Sequence, residues 1–491
     1  MQKNIKKIGY ILTLSLVLPL FIASCYQEQK KKTKQILEPK NVQIVATLGK
    51  NGWERVNAYC ESGANIFRIN GSHIKSEEQL KQTLEEVNKA IKSSDKCKNI
   101  SVMYDTQGPE IRTIILEKKE EKVEVKKEEK KVKNDKKSNK KDNKKNKKDK
   151  KIKNSKNKDK KIVKEEKKEE KFIINNPASY EIRENDVLIV HTNLNDEEVF
   201  YKGDRVRENG KQKTIHIGVN YVNFIKDVKK DMILTIENRL IYAKVENVDK
   251  NKGIVKLVIT EINNEEKTYN LTDRRHINLI GEPVSLETLT ENDKKYIKMS
   301  ALAGVEYYAI SFVRNGKDII EVKELIKNTF KENGIGDNDI NDKMKKIKII
   351  AKIETKQGLD SLTEIVKTAD GAMVARGDLA SEIPFEAVPY AKYKIIKKCN
   401  HFGKFSILAT DVLESMTRQN QPSRNDVDVV ITSLQLGVDA VMLSNETTQG
   451  GCACKGVKAI KELKKLIDFD HNFMIARLQK YKEKEQQGKN K

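Results

Sequence analysis

Two short stretches carry residue types that could do phosphate or metal chemistry. Lys352 and Glu354 stand at the end of an apolar, β-branched run over residues 346–353, and Arg376, Gly377 and Asp378 follow a second over residues 372–375. Between them, residues 357–368 have the apolar spacing of a helix. Strand, helix, strand reads as a parallel βαβ unit, and the C-terminal edge of such strands is where α/β proteins build sites. Two carboxylates from neighbouring strand ends, with a lysine beside them, suit a magnesium ion that keeps positions open for phosphate. Taken singly, Lys-x-Glu on a strand is also an ordinary solvated pair, and Gly-Asp after a strand an ordinary turn.

The elements that must position these groups form a long alternation. From residue 41, strand-like runs end near Thr47, Asn70, Thr106, Val313, Glu354, Arg376, Thr410 and Ser444, and amphipathic segments cover 76–91, 318–330, 384–402 and 425–436. Eight apolar strands alternating with helices predict a (β/α)8 TIM barrel, built from residues 41–112 and 276–483. Residues 113–275 interrupt it. Within them, 117–171 are Lys, Glu, Asp and Asn with almost no apolar residues, a disordered low-complexity tract that cannot offset the entropy of ordering. The remainder holds short β-rich runs (DVLIVHT, KTIHIGV, MILTIEN, LIYAKVENV, GIVKLVIT) separated by Asn, Asp and Gly. These predict a small β-barrel inserted in a βα loop, a lid that can close over the barrel's catalytic rim.

Charge and cysteine usage narrow the function classes. The chain has 491 residues and a formal net charge of +24, and residues 117–171 alone hold 27 lysines against 14 acidic residues. Basic charge so concentrated in one tract argues for a solvated appendage and against a shaped nucleic-acid face. Six scattered cysteines give no disulfide framework, and Cys452 with Cys454 lack the partners of a four-ligand metal site. At the N-terminus, Lys3, Lys6 and Lys7 precede an apolar run over 8–22 and then Ala23, Ser24 and Cys25. That is the order of a secretory signal, too short for a membrane span, so no span is expected in the mature protein. Residues 26–40 form a basic, transit-like linker and 484–491 a basic tail.

Polar residues gather at the expected strand ends: Arg68, Asn70 and Ser72; Asp105, Thr106, Glu110 and Arg112; Lys352, Glu354 and Asp378; Thr410; Ser444 and Glu446. From residue 41 to about 466, the 117–171 tract aside, the chain resembles pyruvate kinases. The motifs VATLG, NIFRINGSH, DTQGPEIRT, NLIGEPVSL, IIAKIE, MVARGDLA, ATDVLESM, QPSRND and MLSNET carry the resemblance, in the family's order. It implies transfer of phosphate from phosphoenolpyruvate to ADP, with magnesium and potassium as cofactors. Residue by residue, it implies magnesium ligands at Glu354 and Asp378, and a potassium site at Asn70, Ser72, Asp105 and Thr106. Lys352 matches the lysine beside the transferring phosphoryl group, and Thr410 the threonine implicated in protonating the enolate. Arg68, Arg112 and Arg275 match basic residues near the phosphates, with His73 and Gly377 in the same binding motifs. Glutamate at position 110 goes, by the same resemblance, with dependence on potassium.

The sequence also departs from the family's pattern. Lys50 follows Gly49 where proline is usual, Asp411 and Asp426 stand for glutamine and glutamate, and Asn445 and Gln449 replace a glycine and a lysine. The family's C-terminal regulatory domain is expected to be missing, which implies a monomer or a barrel-mediated homodimer. A catalytically impaired relative acting as an interaction subunit, and a barrel lyase acting on pyruvate-like acids, stay open as alternatives. The Lys- and Asn-rich tract resembles insertions common in malaria-type parasites, so the signal and basic segment together imply delivery to a plastid, the apicoplast. A lipoprotein anchored through Cys25 is the alternative, or a cytoplasmic protein if the N-terminal segment is spurious.

Overall fold

The computed structural model describes residues 41–115, 179–193, 206–209, 212–280, 285–448 and 454–468. The signal segment, the transit-like linker, the 117–171 tract, Gln449, Cys452 and the basic tail lie outside the described residues.

Eight strands close a parallel barrel: β1 (Gln43–Leu48), β2 (Ile66–Asn70), β3 (Ser101–Asp105), β4 (Tyr307–Ile310), β5 (Lys348–Ile353), β6 (Gly371–Ala375), β7 (Phe405–Ala409) and β8 (Ala440–Leu443). Each pairs with the next, and β8 returns to β1 with Gln43 opposite Ala440. Alternation along each strand sorts the side chains. Val45, Met103, Ile350, Met373, Ile407 and Met442 fill the barrel's interior, while Ile44, Ala46, Ala351, Ala372 and Val374 pack outward under the helices. All eight expected runs became barrel strands. The fourth overshoots the structure, because β4 stops at Ile310 where the chain turns and Phe312 takes φ 54°.

The described helices include α1 (Val56–Ser62), α2 (Glu77–Lys92), α3 (Glu291–Leu302), α4 (Gly316–Glu332), α5 (Leu362–Thr368), α6 (Arg376–Glu382), α7 (Val388–Phe402) and α8 (Arg424–Gln435), besides Asp337–Lys346 before β5, shorter turns and residues 454–468. Capping boxes start three of them: Thr290 with Asp293, Asn315 with Asp318, and Ser423 with Asp426. The single helix expected over 357–368 is two pieces, Lys356–Asp360 and α5, broken at Ser361. None of the described helices is long and apolar enough to cross a membrane.

The scattered cysteines make no framework among the described residues, but one pair is bridged, which the sequence reading did not anticipate. Cys60, near the end of α1, is bridged to Cys97 in the turn before β3. Packing of α1 against this turn brings their Cα atoms to 5.5 Å across a sequence separation of 37.

The inserted region is a β-structure with its own core. Its main sheet runs in the order Ile277–Leu279, Ile233–Ile236, Ile241–Asp249, Ile254–Ile262, Val187–His191, Gln212–Val219 and Thr113–Ile114, with Val206–Asn209 beside Gln212–Val219. Thr268–Thr272 and Ser179–Arg183 pair separately as a two-stranded ribbon. Ile182, Leu188, Ile215, Ile217, Phe224, Leu234 and Leu257 are fully buried between them. The sheet takes in Ile277–Leu279, past residue 275 where the sequence reading ended the lid.

One buried pair makes lid stability depend on pH. His191 Nε2 and His216 Nδ1 share a hydrogen bond of 2.9 Å, and burial followed by the His216 charge pushes the His191 imidazole down to about 4 from its ordinary 6.5. The folded lid therefore favours neutral His191. Its contribution is complete above 6.5 and is lost as pH falls towards 4, because the unfolded chain takes up the proton first. The ceiling is about 3 kcal/mol. Thermal melts of wild type and His191→Gln are expected to converge between pH 6.5 and 4; a constant difference across that window would refute the assignment.

Candidate active site

At the C-terminal rim, four charged side chains alternate in sign. Arg68, two residues before the end of β2, donates from Nε to Asp105 Oδ2 at 2.6 Å. Lys352 on β5 places Nζ 3.1 Å from Asp105 Oδ1 and 2.9 Å from Glu354 Oε1, and donates to Ser311 Oγ at 2.7 Å. Arg68 also reaches Thr47 Oγ1 at 3.1 Å. Asp105 and Glu354 are fully buried, so their charges are tolerated only with these cations beside them. Burial opposes ionisation of Asp105, yet Arg68 and Lys352 hold its carboxyl below the usual range. Burial likewise works against the Lys352 ammonium, and Asp105 and Glu354 overcome it, holding it above the usual lysine range.

Asp378 stands in the first turn of α6, with its side chain 37% exposed. Desolvation raises both Glu354 and Asp378 and Lys352 opposes it in each; the Asp378 charge adds to the rise at Glu354, and the Glu110 charge to the rise at Asp378. Glu354 Oε2 accepts from Phe312 N at 2.7 Å, while Oε1 accepts no aligned hydrogen bond. Glu354, with one carboxylate oxygen accepting no hydrogen bond, and Asp378 on the same cleft supply the oxygen donors that a hard divalent cation takes, so these residues fit magnesium. The glycine before Asp378 is required by packing: a Cβ on Gly377 would lie 2.8 Å from Thr410 Cγ2.

These groups open on a cleft of about 230 Å³. Arg68, Asn70, Ser72, His73, Lys352, Glu354, Asp378 and Thr410 all line it, as do Glu110, Ser444 and Asn445. A larger cleft of about 360 Å³ at the lid seam, between Ile277–Leu279 and the Lys356–Asp360 turn, lacks this charged array.

Comparison with known proteins gives this geometry a family. The profile described as "Pyruvate kinase, barrel domain" matches residues 39–162 and 149–457. The chain belongs to the pyruvate kinase family. It is 29% identical over 442 residues to the pyruvate kinase of Thermotoga maritima, covering 88% of this chain and 72% of that one. It is 28% identical over 436 residues to that of Geobacillus stearothermophilus, covering 88% and 56%. Against the pyruvate kinase of Staphylococcus saprophyticus, identity is 36% over 245 residues, covering 50% and 39%. The chain thus spans only part of these relatives, little more than half of the Geobacillus protein.

Two residues that the resemblance placed near the phosphates have their guanidiniums paired beside the cleft. Arg112 and Arg275 do not line the cleft. Arg112 is taken up by Glu110 and by the Arg274 carbonyl at 2.7 Å, and Arg275 by Glu237 at 3.2 Å and Thr272 Oγ1 at 2.5 Å. Both guanidiniums brace the crossing strands where the lid joins the barrel. Of the expected potassium set, Asn70 and Ser72 face the cleft, with Ser72 N donating to Asn70 Oδ1 at 3.2 Å. Asp105 and Thr106 are buried behind them, Asp105 opposite Asn70 in register and Thr106 Oγ1 accepting from Ser311 N at 2.9 Å. An amide, hydroxyls and a carboxylate are oxygen donors that suit a hard monovalent ion.

Two residues escaped the sequence reading. Ser311 ties Lys352 to Thr106; the expected fourth run reached Val313 and so held Ser311 inside the strand, and it is the early end of β4 at Ile310 that sets it at the rim. Asp293 reads as a helix cap, yet its carboxylate also accepts from Gln107 N at 3.0 Å and Gly108 N at 3.2 Å. It thereby fixes the loop that carries Glu110.

Proposed function

We propose that this protein transfers the phosphoryl group of phosphoenolpyruvate to ADP, giving pyruvate and ATP. The observation that carries the reading is the nearly buried Lys352 ammonium, held between Asp105 and Glu354 and opening on the same cleft as Arg68. In the transfer, the bond from phosphorus to the enol oxygen breaks and one to a terminal ADP oxygen forms. Negative charge spreads over the moving group, and cations fixed in place before the reaction stabilise it without reorganising. Magnesium, held by Glu354 and Asp378, would supply further neutralisation of that charge.

The enolate left behind needs a proton on its methylene carbon, and Thr410 lines the cleft for that step. Thr410 and Asp411 take φ 65° and 52°, a left-handed pair unusual for residues with a Cβ. Arg376 holds this conformation by donating from Nε to the Ala409 and Thr410 carbonyls at 3.3 and 3.1 Å. A strained backbone at the end of β7 thus aims a hydroxyl residue at the cleft.

The deciding experiment is ATP formation by purified protein from ADP and phosphoenolpyruvate, with magnesium and potassium varied separately. No ATP at saturating substrates would favour an impaired relative and overturn the proposal. With Glu110 lining the cleft, turnover is expected to need potassium, and Glu110→Lys to lessen the need, because an ammonium can stand in for the ion. Equal rates in sodium or in monovalent-free buffer would contradict this.

A further inference from the structure

Three consecutive residues with side chains, Glu237, Asn238 and Arg239, take φ 54°, 50° and 66° in the lid turn between Ile233–Ile236 and Ile241–Asp249. Left-handed conformations are unfavourable for such residues and persist only where surrounding contacts hold them. Here the contacts run across the seam to the barrel. Asn238 Oδ1 accepts from Ser381 Oγ at 3.2 Å, and Arg239 Nη1 donates to the Ile383 carbonyl. The Arg239 guanidinium is itself steadied by Tyr242, with Nε 2.8 Å from the hydroxyl and the carbon of the fork 5.6 Å from the ring centre. Behind the turn, Glu237 N donates to the His276 carbonyl at 3.0 Å. A neighbouring lid residue, Asn278, donates to Glu382 Oε1 at 3.2 Å.

Every one of these barrel partners, Ser381, Glu382 and Ile383, lies at the C-terminal end of α6, whose first turn carries Asp378. The other end of α6 is pinned to β7 through Arg376. α6 is therefore a seven-residue helix held at one end by the barrel and at the other by the lid. We infer that Asn238 and Arg239 are positioning residues that act through α6 to set Asp378 against Glu354 when the lid is docked. The lid would thereby assemble the cation site as well as cover it. The inference rests on the proposed role of that carboxylate pair.

The test reads metal binding directly, without turnover, by titrating Mn2+ into the full chain and measuring free ion by electron paramagnetic resonance. Arg239→Gly removes the contact and also the cause of strain at φ 66°, so its melting temperature is expected to equal or exceed that of wild type. Its Mn2+ affinity is expected to fall about tenfold, the low end of what loss of a supporting shell costs. Arg239→Lys keeps charge without the fork and should fall between. Ser381→Ala, which alters the barrel side alone, should weaken binding in the same direction, and it carries the test if the glycine variant does not fold. In the ATP assay, half-saturating magnesium should rise more than kcat falls. Unchanged Mn2+ affinity in well-folded Arg239→Gly or Ser381→Ala overturns the inference, as would a wild type that binds no Mn2+. A wild type that binds Mn2+ tightly yet forms no ATP sinks the proposed reaction while leaving this one standing.

Discussion

Lys352→Met is expected to lower kcat for ATP formation by about 10³-fold, the scale on which loss of one fixed group that stabilises transition-state charge is felt. The substitution keeps the stem and removes the charge. Two consequences follow from the geometry. The transferring group loses a cation already aimed at the cleft, and two fully buried carboxylates, Asp105 and Glu354, lose the charge lying 3.1 and 2.9 Å from them. Breaking a buried pair by removing one partner costs roughly 3–5 kcal/mol, so the melting temperature at neutral pH should fall as well. Lys352→Arg tells the two effects apart: it restores a cation for Asp105 but cannot place a point charge at the same spot, so stability should recover more than turnover. A Lys352→Met enzyme within tenfold of wild-type kcat would exclude the assigned role.

The barrel was legible because its strands are buried on both faces and so appear as continuous apolar runs, all but the fourth ended by a polar residue. That is why Glu354 and Asp378 could be placed at one rim from spacing alone. Where legibility failed, the missing information was tertiary. Ser179–Arg183 and Thr268–Thr272 mix polar and apolar residues, and each becomes a strand only by pairing with the other. Phe312 ends β4 with a positive φ that nothing in a bulky aromatic residue announces. Cys60 and Cys97 are distant in sequence and meet because α1 packs beside the turn before β3.

The site shows the same limit in a sharper form. Sequence supplied cations by motif, but which carboxylate each one meets is decided by the fold. Arg68 finds Asp105 on the neighbouring strand and lines the cleft, whereas Arg112 and Arg275 pair with Glu110 and Glu237 where the lid joins the barrel. Asp293 serves as a helix cap, but its second duty, holding Gln107 and Gly108, depends on a loop 185 or more residues away. A residue type at a motif position thus states a capacity, and the partner within reach determines its use.

Removing either proposed magnesium ligand should abolish magnesium-dependent turnover, yet the two variants should differ in stability, and the difference tests the geometry. Asp378 is 37% exposed in the first turn of α6, with His276 Nδ1 3.9 Å away, so Asp378→Ala should melt close to wild type. Glu354 is 1% exposed and takes the Phe312 N–H at 2.7 Å as well as the Lys352 charge. Glu354→Ala leaves that donor and part of that charge unmatched in the interior, a loss of about 3 kcal/mol. Glu354→Gln separates the roles again. Its amide oxygen can still accept from Phe312 N, so most of the stability should return, but a neutral group beside Asp378 is a poor ligand for a hard divalent cation, so turnover should not. Calorimetric melts beside ATP formation across a magnesium titration would read both. Near-normal turnover of Asp378→Ala at low magnesium would remove the site from this rim, and equal melting of the two alanine variants would show that Glu354 is not the buried anchor its contacts describe.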